Sequence, residues 1–208
     1  MNKYLTELIG TFFLVLTIGC TVIANRPPVI PALGIGAVLM VMIFAGGHVS
    51  GAHYNPAVTL GVWMRGRCAT TDVAPYWIAQ IVGGLAAAFA VKFLVGSPGN
   101  PPLVPHVGPA LLAEFLFTFA LVYVVLNTAT AKGTSGNSFY GLAIGMTVMA
   151  GAFAVGGVSG GALNPAVAIA ATTMGLLAPG SIWIHIVGEL AGAAAAAMVF
   201  KTINPEDK

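Results

Sequence analysis

The chain has 208 residues, 58% of them hydrophobic and only 7% charged, with a formal net charge of +2. A soluble domain ordinarily carries about a quarter charged residues, so lipid, not water, must be the solvent for most of this chain. No basic patch points to nucleic acid, and the two cysteines, Cys20 and Cys68, are too few and too scattered for a disulfide framework or a metal knuckle, so no metal and no cofactor is expected.

The first apolar stretch, 5–24, begins almost at Met1. It shows neither a multiply charged leader nor a small-residue cleavage site, and reads as a retained helix rather than a signal peptide. A polar loop at 25–28 precedes the second stretch, 32–47, and a third runs over 75–95. After a Gly/Pro-rich loop at 96–105 come the fourth, 109–129, the loop 132–137, the fifth, 139–158, and the sixth, 181–200. Each approaches the roughly 20 residues that cross a bilayer. Two further apolar pieces, 55–64 and 164–178, are too short or too interrupted to span, and read as re-entrant half-helices. The fold class expected is an all-α membrane protein of six transmembrane helices and two half-helices, one channel domain over 1–208.

Orientation follows from the cations. With six spans and a cytoplasmic N-terminus, Lys3, Arg65, Arg67, Lys132, Lys201 and Lys208 fall inside, and Arg26 and Lys92 outside. That excess favours both termini in the cytoplasm of a multi-pass protein, here assigned to the cell membrane.

The chain also contains itself twice. The segment 47–58 matches 156–167 at eight of twelve positions, at an offset of 109. The same offset pairs Gly83 with Gly192 and Gln80 with Glu189, and an offset of 107 pairs Glu7 with Glu114. The halves, about 1–100 and 105–203, each read as helix, helix, half-helix, helix. Three spans is an odd number, so the second half enters from the opposite face, which makes an inverted repeat. The two half-helices then meet near the middle.

Each half-helix opens on Asn-Pro-Ala: Asn55, Pro56, Ala57 and Asn164, Pro165, Ala166. Asn caps a helix through its side-chain oxygen, and Pro at the first helical position needs no N–H partner. The Asn NH2 group is then free to donate, and both half-helices aim their positive dipole ends at the centre. Water there would turn its oxygen to the amides, which breaks a proton wire, while the dipoles oppose cations.

One such triplet is an ordinary cap. Two copies, each preceded by Gly-x-Val-Ser-Gly and each opening a short apolar piece, are specific. The sequence resembles the major intrinsic protein family, the aquaporins and aquaglyceroporins, over essentially its whole length, from Glu7-Leu-Ile-Gly-Thr-Phe12 through Ser50-Gly-Ala-His-Tyr-Asn-Pro-Ala-Val-Thr59 and Ala79-Gln80 to Gly192-Ala193. The resemblance implies a passive channel for water and small neutral solutes in a lipid bilayer, and a homotetramer. It assigns Glu7 and Glu114 to holding the re-entrant loops by their backbone, and leaves His48 and His53 either lining the inner vestibule or holding the loop. His106 and His185 have no motif around them and are expected at interfaces. Small residues at Gly83, Gly84, Ala87, Gly188, Gly192 and Ala196 suit close helix crossings.

The chain departs from that family in its filter. The second motif usually continues with Arg; here Val167 stands in that place. Counting back from the motifs carries the other three filter positions onto Ile35, Ala152 and Gly161. Water-selective members resemble an aromatic, His, small and Arg set, so this apolar and smaller set should tolerate solutes wider than water: glycerol, urea, or neutral metalloid hydroxides such as arsenous acid. The alternatives are that another residue does the selecting and the channel is water-selective, or that the protein is a secondary transporter. The second needs an ion or proton relay, and Glu189 is the only mid-span acid without an evident structural partner. It lies where the family usually has Pro, and a helix-to-helix hydrogen bond suits it better than transport. No catalytic constellation is present in the sequence, and an enzyme is not expected.

Overall fold

The computed structural model describes residues 1–24 and 29–207; Arg26, the loop 25–28 and Lys208 lie outside the described residues. The elements in order are α1 (Asn2–Ala24), α2 (Pro31–Ser50), α3 (Pro56–Met64), α4 (Thr70–Val95), α5 (Val107–Val125), α6 (Tyr140–Ser159), α7 (Pro165–Met174) and α8 (Ile182–Ile203). A π-helical turn, Leu126–Thr130, extends α5, and a short 3-10 turn, Pro179–Ser181, leads into α8. Among the described residues six helices, all but α3 and α7, are long and apolar enough to cross a membrane. The protein is a multi-pass membrane protein with two short helices held between its spans.

Large apolar side chains face outward around the bundle, with Phe93 90% and Phe89 64% exposed, and Ile78, Leu112, Phe153 and Met198 also exposed. A continuous apolar rim of this kind would aggregate in water and is stable against acyl chains. The buried centre is formed by α3 and α7, whose Ala57, Val58, Val62, Ala166, Ala168 and Ala170 are almost wholly covered.

Small residues let the spans approach closely. The most extensive packing joins α5 to α8 and α1 to α4. A methyl group added at Gly83 would fall on the carbonyl of Leu8, and one at Gly192 on the carbonyl of Phe115. Between α2 and α6, Gly36 and Gly145 face each other: a Cβ on Gly36 would stand 2.8 Å from the Gly145 carbonyl, and one on Gly145 would stand 2.6 Å from that of Gly36. These two residues are related by the offset of 109, so a repeat-related pair meets where α2 packs on α6.

Among the boundaries that differ from expectation, two have a clear physical cause. The helix α4 starts at Thr70, not at Pro75, and holds that proline inside it. Its polar first turn is fastened to α1, because Lys3 Nζ and Tyr4 OH donate to the Asp72 carboxylate at 2.6 and 2.8 Å. The helix α7 stops at Met174, four residues short of the expected 178. Gly175 ends it at φ +83°, a left-handed turn that glycine makes without Cβ strain. The chain then crosses Leu103, which donates its N–H to Leu176 O at 2.9 Å and accepts from Ala178 N–H at 3.0 Å.

Candidate functional site: a central pore

The two Asn-Pro-Ala starts form as the sequence suggests. Asn55 is extended, at φ −158°, and its Oδ1 accepts the N–H groups of Ala57 and Val58 at 2.8 and 3.4 Å, with Pro56 at the first helical position. Asn164 accepts from Ala166 N–H at 3.0 Å, with Pro165 behind it. The amide groups are less free than expected. Asn55 Nδ2 donates to Leu163 O at 2.8 Å, and Asn164 Nδ2 donates to Tyr54 O at 2.9 Å. One hydrogen of each NH2 therefore braces the opposite half, and only the second remains available to a passing molecule.

Tyr54 and Leu163, whose carbonyls accept these bonds, both sit in the left-handed region, at φ +50° and +52°. Such positions cost about 1–3 kcal/mol each and persist only where surroundings over-determine them. Two buried acids supply the restraint. Glu7 accepts from Ser50 Oγ at 2.6 Å, His53 N–H at 2.9 Å, Tyr54 N–H at 2.6 Å and Gln80 Nε2 at 2.8 Å. Glu114 accepts from Ser159 Oγ at 2.6 Å, Ala162 N–H at 3.1 Å and Leu163 N–H at 2.8 Å. Both acids are fully buried. At that depth no water could satisfy these N–H groups.

The two histidines beside the first motif part company. His53 is buried, with Nδ1 3.1 Å from Thr59 Oγ1, and belongs to the loop. His48 is exposed at the end of α2 and lines a cavity of about 790 Å³ with Arg67 and Lys132. His53 lines this same cavity. A correction concerns His185, expected at an interface. It is fully buried, with Nε2 2.8 Å from Ser159 O and 3.7 Å from Glu114 Oε1. Its repeat mate is Tyr76, whose OH donates to Ser50 O at 2.8 Å. The offset of 109 carried this signal, but the two residue types differ and hid it.

The four filter positions, Ile35, Ala152, Gly161 and Val167, line one cavity of about 390 Å³ together with Asn55 and Asn164. Ala129, Tyr140, Leu103 and Leu177 line that cavity as well. No Lys, Arg, Asp or Glu is among its lining residues. Among the described residues no cluster of three or more His, Cys, Asp or Glu is placed to hold a metal.

Sequence reasoning missed one further feature. Arg65, just past α3, has a side chain only 2% exposed and pairs with Asp207 at 2.5 Å. It also donates to Thr130 Oγ1 and Thr130 O, both at 3.2 Å, and lies over the Phe200 ring. Nothing in the local sequence links residues 142 positions apart.

Comparison with known proteins agrees with this architecture. The family model described as Major intrinsic protein matches residues 1–200. Aquaporin NIP1-1 of Oryza sativa subsp. japonica is 34% identical over 220 residues, covering 100% of this chain and 76% of that protein. Aquaporin NIP1-3 of the same organism is 37% identical over 221 residues, covering 100% and 75%. The X-ray structure of the aquaglyceroporin from Plasmodium falciparum superposes with a TM-score of 0.80 at 20% identity, over 99% of this chain and 97% of that one; at that identity the likeness concerns the fold.

Proposed function

The chain belongs to the major intrinsic protein family, a membrane channel and not an enzyme, and from that premise we propose that its pore passes water together with wider uncharged solutes: glycerol-like polyols, urea and neutral metalloid hydroxides of the arsenous acid type. The observation that carries this reading is the cavity shared by Ile35, Ala152, Gly161 and Val167, which has no charged side chain in its lining. An ion entering it would exchange its hydration for apolar walls, at a cost of several kcal/mol. A neutral solute with a few hydroxyls loses far less and can use the remaining Asn55 and Asn164 N–H groups. The missing guanidinium leaves width and removes the strongest donor, so water gains no advantage over a larger neutral molecule.

In this reading Asn55, Pro56, Ala57, Asn164, Pro165 and Ala166 form the central barrier to protons and cations. Glu7, Glu114 and His53 support the loops, and the chain is one channel domain of two inverted repeats, about 1–100 and 105–203. The protein works as a homotetramer in the cell membrane with both termini in the cytoplasm. The outward Phe89 and Phe93 suit either lipid or a neighbouring subunit.

Purified channel in vesicles, followed by light scattering after osmotic jumps, tests the assignment. Water, glycerol, urea and arsenous acid should each enter well above the rate of empty vesicles, with no dependence on proton or sodium gradients. Fast water entry with exclusion of the other three would make this a water-selective channel. Solute entry driven by an imposed proton gradient would make it a secondary transporter.

A further inference from the structure

In the first half, every donor around the buried acid is fixed. Gln80 Nε2 spends one hydrogen on Glu7 at 2.8 Å and the other on Thr59 Oγ1 at 3.0 Å, and Tyr76 OH ties down Ser50 O. The repeat replaces each of these in the second half. Glu189 stands for Gln80, Ala168 for Thr59 and His185 for Tyr76. Glu189 is fully buried beside the Glu114 carboxyl, and neither of its oxygens receives a hydrogen bond. The backbone N–H of Asn164 lies close but outside hydrogen-bond geometry.

The hydrogen count selects one arrangement. Glu114 accepts three donors where Glu7 accepts four, so one donor is missing. The second acceptor that Gln80 finds in Thr59 is gone, because Ala168 has no hydroxyl. A group with one hydrogen to give, and one acceptor to give it to, completes the site. A protonated carboxyl is that group. Two ionised carboxylates in contact would instead repel and leave both Glu189 oxygens buried without a donor. The oxygen left over has a counterpart in the first half, where Gln80 Oε1 is also buried without a donor.

We infer that Glu189 carries a proton and donates it to Glu114, so that the second re-entrant loop is positioned through an ionisable carboxyl where the first uses the Gln80 amide. Glu114 on α5 and His185 on α8 itself are the ionisable groups facing Glu189; α3 and α7, which also pack on α8, contribute none. In alkali, loss of the Glu189 proton sets two carboxylates against each other. The loop then loosens at Leu163 and Asn164, and the pore loses the brace that these residues make with Asn55 and Tyr54.

Water flux in vesicles with equal internal and external pH tests this without depending on which larger solute the channel carries. Native flux should stay level from acid to neutral pH and fall several-fold in alkali. Glu189→Gln, which restores the donor of the first half, should keep neutral flux and abolish the alkaline fall. At neutral pH the native protein should show the infrared C=O stretch of a protonated carboxyl, absent from Glu189→Gln and titrating in parallel with flux. The inference is overturned if that band is missing, if it survives Glu189→Gln, or if native and variant share one pH profile. Should the variant not fold, the native band decides alone: titration with flux supports the assignment, and titration apart from flux overturns it.

Discussion

The Asn55 amide donates to the carbonyl of Leu163 at 2.8 Å, and Leu163 is held left-handed, at φ +52°, by Glu114. The reverse bond, Asn164 to Tyr54, has its own restraint in Glu7. Each motif therefore caps its own half-helix with oxygen and fixes the other half's loop with nitrogen. The brace couples the two re-entrant loops, so a change at either Asn acts on both sides of the pore centre.

Asn55→Asp or Asn164→Asp should raise proton and cation leak, measured as the decay of an imposed pH gradient in vesicles. Asp keeps the cap but replaces the donor with a negative charge at the dipole-positive centre. It also leaves Leu163 O or Tyr54 O buried without its partner, at about 1–3 kcal/mol, so the melting temperature should fall as well. Unchanged proton conductance in both variants would mean that the half-helix ends do not meet in the conducting path.

The close packing of α2 on α6 gives a second prediction. Gly36→Leu or Gly145→Leu would drive a side chain into the facing backbone, where even a Cβ has less than 3 Å. Overpacking of this kind typically costs about 1–3 kcal/mol. Reduced thermal stability in detergent should follow. Gly108→Ala, where nothing lies within 4 Å of a Cβ, serves as the control and should change little. Equal melting of all three would contradict the close α2–α6 approach.

Much of this was legible because membrane physics leaves few options. Spans announce themselves by apolar length, and Asn-Pro writes a helix start twice. The ends were less legible. Thr70 begins α4 because Lys3 and Tyr4 hold Asp72, a contact that hydropathy does not register. His185 and Tyr76 do one job with different atoms, so identity matching passed over them. The Arg65–Asp207 pair depends on tertiary approach alone.

The Arg65 clasp predicts an acid-sensitive anchor for the segment after α8. The Lys132 backbone N–H and then the Arg65 guanidinium hold the Asp207 carboxyl below the ordinary carboxylate range. A carboxyl lowered in the folded state contributes fully above its unfolded value and loses that contribution as pH falls through the folded one. Protease access to the segment should therefore rise only below the ordinary carboxylate range. Asp207→Asn should raise access at neutral pH and remove the acid transition. Equal access in native and Asp207→Asn at every pH would show that the pair does not anchor the segment.

Val167→Arg tests the feature that most separates this pore from a narrow water channel. Val167 is 5% exposed and shares its cavity with Ile35, Ala152 and Gly161. A guanidinium there fills the opening that Val leaves and presents five donors. Water still fits and gains partners, whereas glycerol and arsenous acid must displace the side chain. A barrier higher by about 1.4 kcal/mol would slow those solutes roughly tenfold, and water flux should change much less. The buried charge needs backbone carbonyls around it, so some loss of stability should accompany the effect. Cation leak should not rise, since the added charge repels cations. If Val167→Arg slowed water and glycerol equally, the narrowest point of the native pore would lie elsewhere, and the width of this cavity would not set its selectivity.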